Sequence, residues 1–252
     1  MKEDELRRIA GRSKIPLGIV EKDYVITLVL SEISGLEYIQ KMIFKGGTCI
    51  KKIYFPDARF SVDVDFTCLG DMPEKLLGDL NKKLRGNEIE NISFIDVIKE
   101  EEKKEGIRLS VRHHDMKGHR TSIKIDLSLR DDTINIPQSK EILNTYGLIP
   151  FKLGAMVVEE LLAEKVRAVI TRSVSRDIYD IWFLHKKGIP FRLDLVNEKL
   201  KLLKKDKSFD QNLFLQRLEE REKGWERDLG VLLPEVPPYD QVKADIVKFI
   251  SL

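Results

Sequence analysis

The sequence predicts an α+β protein: an N-terminal α/β domain with a mixed, twisted sheet over residues 1–137, followed by a C-terminal helical domain over 138–252. Three observations predict it. Apolar and polar positions alternate in short runs as far as Leu129, the pattern of strands buried on one face. A glycine pair, Gly46-Gly47, separates one such run from a helical one. Beyond Pro137 the period becomes helical, with breaks at Pro150, Gly188-Ile189-Pro190 and Pro234 to Pro238.

Taken in order, residues 3–11 read as a short helix, interrupted at Ser13 and Pro16. Residues 18–34 form a longer amphipathic helix, with Ile19, Val20, Tyr24, Val25, Leu28 and Leu30 toward the buried side. Ile43 and Phe44 make a short strand into the glycine turn, Thr48 to Phe55 the helix after it, and Pro56-Asp57 its stop. Phe60 to Phe66 are a strand and residues 72–85 a charged helix. Three β-like segments follow, Ile92 to Ile98, Ile107 to Arg112 and Thr121 to Leu129, with a charged hairpin turn from Glu100 to Gly106. Helices are then expected near 139–145, 154–172, 176–187, 193–204, 208–223 and 238–250.

With 252 residues, 42% of them hydrophobic and 34% charged, the chain has the composition of a soluble globular protein of one large domain or two modest ones. A net charge of +2 excludes a globally basic or acidic binding surface, so any contact with nucleic acid must come from local clustering. Apolar runs such as Tyr24 to Leu30 are too short to span a bilayer. Met1 leads into a charged helical stretch rather than a secretory leader. Cys49 and Cys68 lack zinc-like spacing and read as free thiols of a cytoplasmic protein.

The chemistry concentrates in Phe44-Lys45-Gly46-Gly47-Thr48 and Arg59-Phe60-Ser61-Val62-Asp63-Val64-Asp65-Phe66. On a strand, alternate side chains share a face, so Asp63 and Asp65 point one way and Val62, Val64 and Phe66 the other. Two such carboxylates repel by roughly 4 kcal/mol at about 4 Å when the effective dielectric is near 20. A divalent cation is the usual reason to tolerate this, and Asp oxygens suit Mg²⁺. Backbone amides at a helix start bind anions, and glycine lets a phosphate approach. The two motifs together read as a site for a metal nucleotide.

Lys124-Ile125-Asp126-Leu127-Ser128-Leu129 alternates strictly. Alone, it reads as a half-exposed edge strand. Beside Asp63 and Asp65, Asp126 becomes the third carboxylate of a two-metal transfer site, the one that activates the nucleophile. Further along, Glu160, Glu164, Lys165, Arg172, Arg176, Asp177 and Asp180 are interleaved with many apolar residues on two helices. Charges so crowded are expected to line a cleft rather than a solvated face. Lys165 suits a triphosphate as a point charge, and Arg172 or Arg176 can grip phosphate oxygens bidentately. The site is expected in the cleft between the two domains.

These residues resemble the AbiEii/AbiGii toxin family of nucleotidyltransferases, within the DNA polymerase β-like nucleotidyltransferase superfamily. The resemblance runs in order through Glu21-Lys22-Asp23-Tyr24, Lys45 to Thr48, Arg59 to Phe66, Lys124-Ile125-Asp126, Glu164 to Ala168, Arg172, and Arg176 to Asp180. Val62 departs from it, standing where many relatives carry an acidic residue. The resemblance implies Mg²⁺- or Mn²⁺-dependent transfer of a nucleoside monophosphate from an NTP to an acceptor hydroxyl. It also implies a cognate antitoxin, or membership of a phage-defence pair, and for some relatives an acceptor at the 3′ end of tRNA. Carried over residue by residue, Gly47 and Thr48 sit at the phosphates, Asp63 and Asp65 at metal, Asp126 as third carboxylate, and Lys165, Arg172 and Asp180 in the helical half, with Gly46 and Arg176 joining the nucleotide site and Asp126 the metal site on the reading of the residues themselves.

Arg108, Arg112, Lys117, Arg120 and Lys124 crowd one hairpin against a single Asp115, which suits an RNA backbone. The lysines at 199, 201, 204, 205 and 207 read as a solvated face. His113 and His114 are adjacent on a strand and point apart, which argues against zinc. Two alternatives remain at this stage: a small-molecule acceptor, as in antibiotic-modifying enzymes of the superfamily, and a nucleotide-binding regulatory protein without turnover.

Overall fold

The computed structural model describes residues 1–68, 73–130, 132–172, 174–203 and 208–251. The chain divides into two compact units, residues 1–133 with 137–156, and residues 134–136 with 157–252. No helix among the described residues is long and apolar enough to cross a membrane.

The first unit opens with α1 (Glu3–Ser13) and α2 (Leu17–Ser34). Then come β1 (Met42–Lys45), α3 (Gly46–Cys49) running into a π-helical segment (Ile50–Tyr54), β2 (Asp63–Cys68) and α4 (Pro73–Leu84). Four strands follow, β3 (Glu88–Ile89), β4 (Ile92–Lys103), β5 (Gly106–His114) and β6 (Arg120–Ser128), and the last two are β7 (Gln138–Glu141) and β8 (Lys152–Ala155). All eight strands form one mixed sheet in the order β3-β4-β5-β6-β2-β1-β8-β7. β2 and β6 are parallel, as are β1 and β8, and the other pairs are antiparallel.

The core follows from period-2 burial. Val64 and Phe66 of β2, Leu109 and Val111 of β5, and Ile125 and Leu127 of β6 are all essentially inaccessible. Phe44 meets Phe66 with ring centroids 5.3 Å apart, a contact worth roughly 0.5–1.5 kcal/mol beyond the area it buries. α2 contributes Tyr24, Val25, Leu28 and Val29, and α4 contributes Leu76, Leu80 and Leu84 at helical spacing. α2 touches β6, and α4 packs on β4.

Expectations for the first unit need correction here, among them the helix start near 154, where Gly154 and Ala155 belong to β8 and α5 begins at Val158. The helix expected near 139–145 is instead β7, which pairs antiparallel with β8 while β8 pairs with β1. Lys140 and Glu141 favour helix locally, but sheet pairing across a ten-residue loop overrides so weak a local preference. The acidic strand begins at Asp63 rather than Phe60, because the segment before it turns Arg59 and Ser61 toward the glycine turn instead of into a ladder.

The second unit is helical: α5 (Val158–Arg172), α6 (Ser175–Lys186), α7 (Leu193–Lys201), α8 (Gln211–Glu219), α9 (Trp225–Leu229) and α10 (Tyr239–Ile250). α5 packs against α6, α7 and α8. Phe191 bridges Phe209 and Phe249 at centroid distances of 5.7 and 5.8 Å. Lys199, expected on a solvated face, is fully buried: its Nζ lies 2.6 Å from Glu160 and 3.5 Å from Glu164. Of the same run, Lys204, Lys205 and Lys207 lie outside the described residues. Glu160 also accepts hydrogen bonds from the backbone of Ile134 and Asn135, tying that short segment to α5.

A buried ion pair that loses one partner leaves an uncompensated charge, at a cost of about 3–5 kcal/mol. Lys199→Met is therefore expected to lower the unfolding free energy by about that amount in a denaturant titration. A change within experimental error would remove the Lys199–Glu160 pair from the core's support.

Candidate active site

β2 lies between β1 and β6, and its alternation separates chemistry from core. Val64 and Phe66 are buried, so Asp63, Asp65 and Thr67 share the other face. Register extends that face sideways. Lys45 of β1 stands opposite Asp65. On β6, Lys124 stands beside Asp63 and Asp126 beside Asp65. Arg108 of β5 stands opposite Asp126, and Glu101 of β4 opposite Arg108. With strands about 4.8 Å apart, one rung across the sheet reads Lys45, Asp65, Asp126, Arg108, Glu101, with both Asp carboxylates between cations. β6 is thus an inner strand, not the edge that its alternation alone allows.

The glycine turn is built against this row. Gly46 has φ +77°, and a Cβ there would lie 2.1 Å from Asp65 Oδ2, so only glycine fits beside that carboxylate. A Cβ on Gly47 would lie 2.7 Å from Arg59 Nη2 and 3.1 Å from Ser61 Oγ. The Thr48 hydroxyl donates to the Asp63 carbonyl, pinning the turn to the acidic strand.

Behind the row lies a residue that the sequence did not single out. Asp132 is 1% exposed and accepts from Lys45 Nζ at 2.9 and 3.2 Å and from Thr67 Oγ1 at 2.6 Å. No spacing rule finds it, since it follows a strand in a short irregular stretch. The only signal was an acidic residue close behind the strand that carries Asp126.

The hairpin arginines have intramolecular partners. Arg108 grips Asp126 bidentately, Nε to Oδ1 at 2.7 Å and Nη2 to Oδ2 at 3.1 Å. Arg112 grips Asp96 in the same way. Arg120 is exposed at the start of β6. His113 is buried, and that burial pushes its pKa down.

In the helical unit, Lys165 is buried between two carboxylates, 2.9 Å from Asp177 and 2.8 Å from Asp180. Arg172 holds Asp177 as well, Nε to Oδ2 at 3.0 Å and Nη2 to Oδ1 at 3.2 Å. Burial alone would raise the Asp177 pKa, but Lys165 and Arg172 outweigh it and hold the carboxyl well below the usual range. Sequence spacing brought Asp177 and Asp180 together but gave Asp177 no role, and the structure makes it the partner shared by Lys165 and Arg172. The charge of Arg176 bears on Asp228, whose carboxyl stays low despite burial through Arg227, Ser175 and Arg176.

Asp63, Asp65 and Asp126 are hard oxygen donors on one face, which is the chemistry Mg²⁺ selects. Among the described residues no group of three or more His, Cys, Asp or Glu side chains is arranged to hold a metal ion. Arg108 already occupies both oxygens of Asp126. The donors suit the ion in chemical type, and the Arg108 guanidinium stands among them.

Gly46→Ala is expected to lower the activity of this site by about 100-fold, since a displacement of about 1 Å can cost that much. The fold should survive, with a melting temperature lowered by a few degrees, and full activity would show that Asp65 tolerates displacement. Asp177 is depressed in the folded state, so the unfolded chain binds more protons as pH falls. Its stabilisation is complete above its ordinary value of 3.8 and is lost as pH falls through the lower folded value. Asp177→Asn should flatten this acid limb in pH-dependent unfolding, and an unchanged limb would assign it elsewhere.

The profile of the family described as nucleotidyl transferase AbiEii toxin, type IV TA system, matches residues 28–245. No curated protein matches the chain. MenT4, a nucleotidyltransferase toxin from Mycobacterium tuberculosis H37Rv, superposes with a TM-score of 0.71 at 18% identity, over 100% of this chain and 89% of that one. JHP933 from Helicobacter pylori superposes with a TM-score of 0.59 at 18% identity, over 94% of this chain and 92% of that one. At such identities the structures speak for the fold, while the profile covers most of the chain, and the protein belongs to the AbiEii nucleotidyl transferase toxin family.

Proposed function

We propose that this protein transfers a nucleoside monophosphate from an NTP to the 3′ end of tRNA, as the toxin of a toxin–antitoxin or phage-defence pair with a cognate antitoxin. The observation that carries the reading is the register of Asp126 beside Asp65, one strand over and on the face of Asp63. Gly46, Gly47 and Thr48 take the phosphates, and the Asp65 carboxylate lies against Gly46. Asp63, Asp65 and Asp126 would hold Mg²⁺. When bound, the ion supplies positive charge against the triphosphate as the α-phosphorus is attacked. Asp126 takes the proton of the acceptor hydroxyl. The acceptor oxygen then bonds the α-phosphorus, and pyrophosphate leaves with the electrons of the broken bond. The proposed phosphate ligands of the helical unit are Lys165, Arg172 and Arg176, of which Lys165 and Arg172 are held by Asp177 in this structure, and Asp180 orients Lys165 through their 2.8 Å ion pair. The reaction belongs in the cytoplasm, where NTP and tRNA meet.

A second acceptor class has one observation in its favour. Arg108 and Arg112 are committed to Asp126 and Asp96, which leaves less cationic surface for an RNA backbone. Under that reading the acceptor is a small hydroxyl compound.

The test uses each α-³²P-labelled NTP with total tRNA and Mg²⁺. Label is expected on tRNA with the native protein and a loss of about 100-fold or more for Asp65→Ala, the scale on which losing one group that stabilises developing charge slows a reaction. Label on small molecules alone would favour the second acceptor, and full activity of Asp65→Ala would overturn the site. Arg112→Gln with Arg120→Gln should also flatten the salt dependence of tRNA binding by roughly one unit of slope per lost phosphate contact. An unchanged slope would remove the hairpin from the RNA interface.

A further inference from the structure

We propose that Arg108 is a built-in counter-cation of the acidic row, a positioning residue that holds Asp126 until a divalent metal ion takes its place and then passes to Glu101. The inference rests on the reading of Asp126 as a metal-site carboxylate.

The sheet register supplies both seats. β5 lies between β4 and β6, so Arg108 has Asp126 directly across on one side and Glu101 directly across on the other. The present seat is Asp126, with both of its oxygens engaged at 2.7 and 3.1 Å. The second seat is already within reach, with Nη1 of Arg108 3.9 Å from Glu101. Arg108 donates both of its hydrogen bonds to Asp126, and the charges of Asp126, Glu101 and Asp63 all bear on the guanidinium. One cation thus serves carboxylates on both sides of the rung and on the rung beside it.

A planar guanidinium matches a carboxylate edge to edge, and a bidentate pair leaves that edge closed to a second cation. Metal and arginine therefore compete for Asp126. The competition is winnable by the metal because the Arg108 side chain is 43% exposed, and ion pairs at such positions are weak. Glu101, equally exposed, can receive the released arginine, although Lys103 lies 2.7 Å from it as a rival. Arg108 changes what Asp126 is available to do without touching the nucleotide. The same geometry explains why a residue on the basic hairpin faces the carboxylates.

The experiment is Mn²⁺ binding without nucleotide, read by electron paramagnetic resonance of the free ion and by calorimetry, with folding followed by thermal unfolding. Arg108→Gln should bind Mn²⁺ about 3- to 10-fold more tightly than the native protein. Arg108→Lys, which keeps the charge but loses the bidentate grip, should fall between them. Glu101→Gln removes the second seat and should weaken binding about 2- to 3-fold. Unchanged or weaker binding by Arg108→Gln would overturn the proposal, as would Glu101→Gln binding like the native protein. Failure of the site itself reads differently: Asp65→Ala and Asp126→Asn would then bind Mn²⁺ as the native protein does. In steady-state assays, Arg108→Gln should lower the Mg²⁺ concentration for half-maximal rate, which a purely structural arginine would not shift.

Discussion

The two-residue period of β2 is the constraint on which the rest of the first unit depends. β2 is an inner strand, flanked by β1 and β6, and its two faces have opposite demands. Val64 and Phe66 must be buried, and Asp63 and Asp65 must not be. A slip of one residue would drive two carboxylates into the core and bring two apolar side chains out, so the register is held from both faces at once. Everything aligned with Asp65 inherits that certainty. Lys45, Asp126 and Arg108 stand where they do because β1, β6 and β5 are paired outward from this strand.

Several fully buried charges among the described residues stand in close pairs, while Asp63, Asp65 and Asp126 of the acidic row are half-buried. Lys45 and Asp132, Lys52 and Asp23, Lys165 with Asp177 and Asp180, and Lys199 with Glu160 are buried groups with close partners of opposite sign. Removing one partner from such a set is costly, because the survivor keeps its charge without water. In the row, two carboxylates stand side by side on neighbouring strands, with Lys45 and Arg108 at the adjoining positions. Side-by-side carboxylates repel each other, so this arrangement is a poor way to stabilise a fold.

Much of this was legible from residues alone, for a definite reason. The alternation through Asp63 and Asp65, the glycine pair, and the strict period of 124–129 are local signals, and local signals report strands, turns and shared faces. Pairing is not local. Arg108 read as a phosphate ligand because sequence shows the sign of a charge but not which strand it will face. Lys199 read as solvated because a lysine run looks the same whether or not another helix supplies Glu160. β7 read as helix because its residues suit one and only its partner β8 makes it a strand. Asp132 had no pattern to betray it, being placed by the course of the chain after β6.

The parallel pairing of β2 with β6 has a consequence in time. Parallel neighbours need a long crossover, and here Asp65 and Asp126 are 61 positions apart with α4 and three strands between them. At about 5–20 residues per second, a ribosome spends roughly 3–12 s between the two aspartates. Throughout that interval β2 has its β1 neighbour but lacks β6, so one side of the strand that carries Asp63 and Asp65 stays unpaired. A product interrupted before β6 keeps that open edge, and an unpaired edge is a template for pairing with another chain. The last strand to join the rung is therefore also the one that closes its exposed edge.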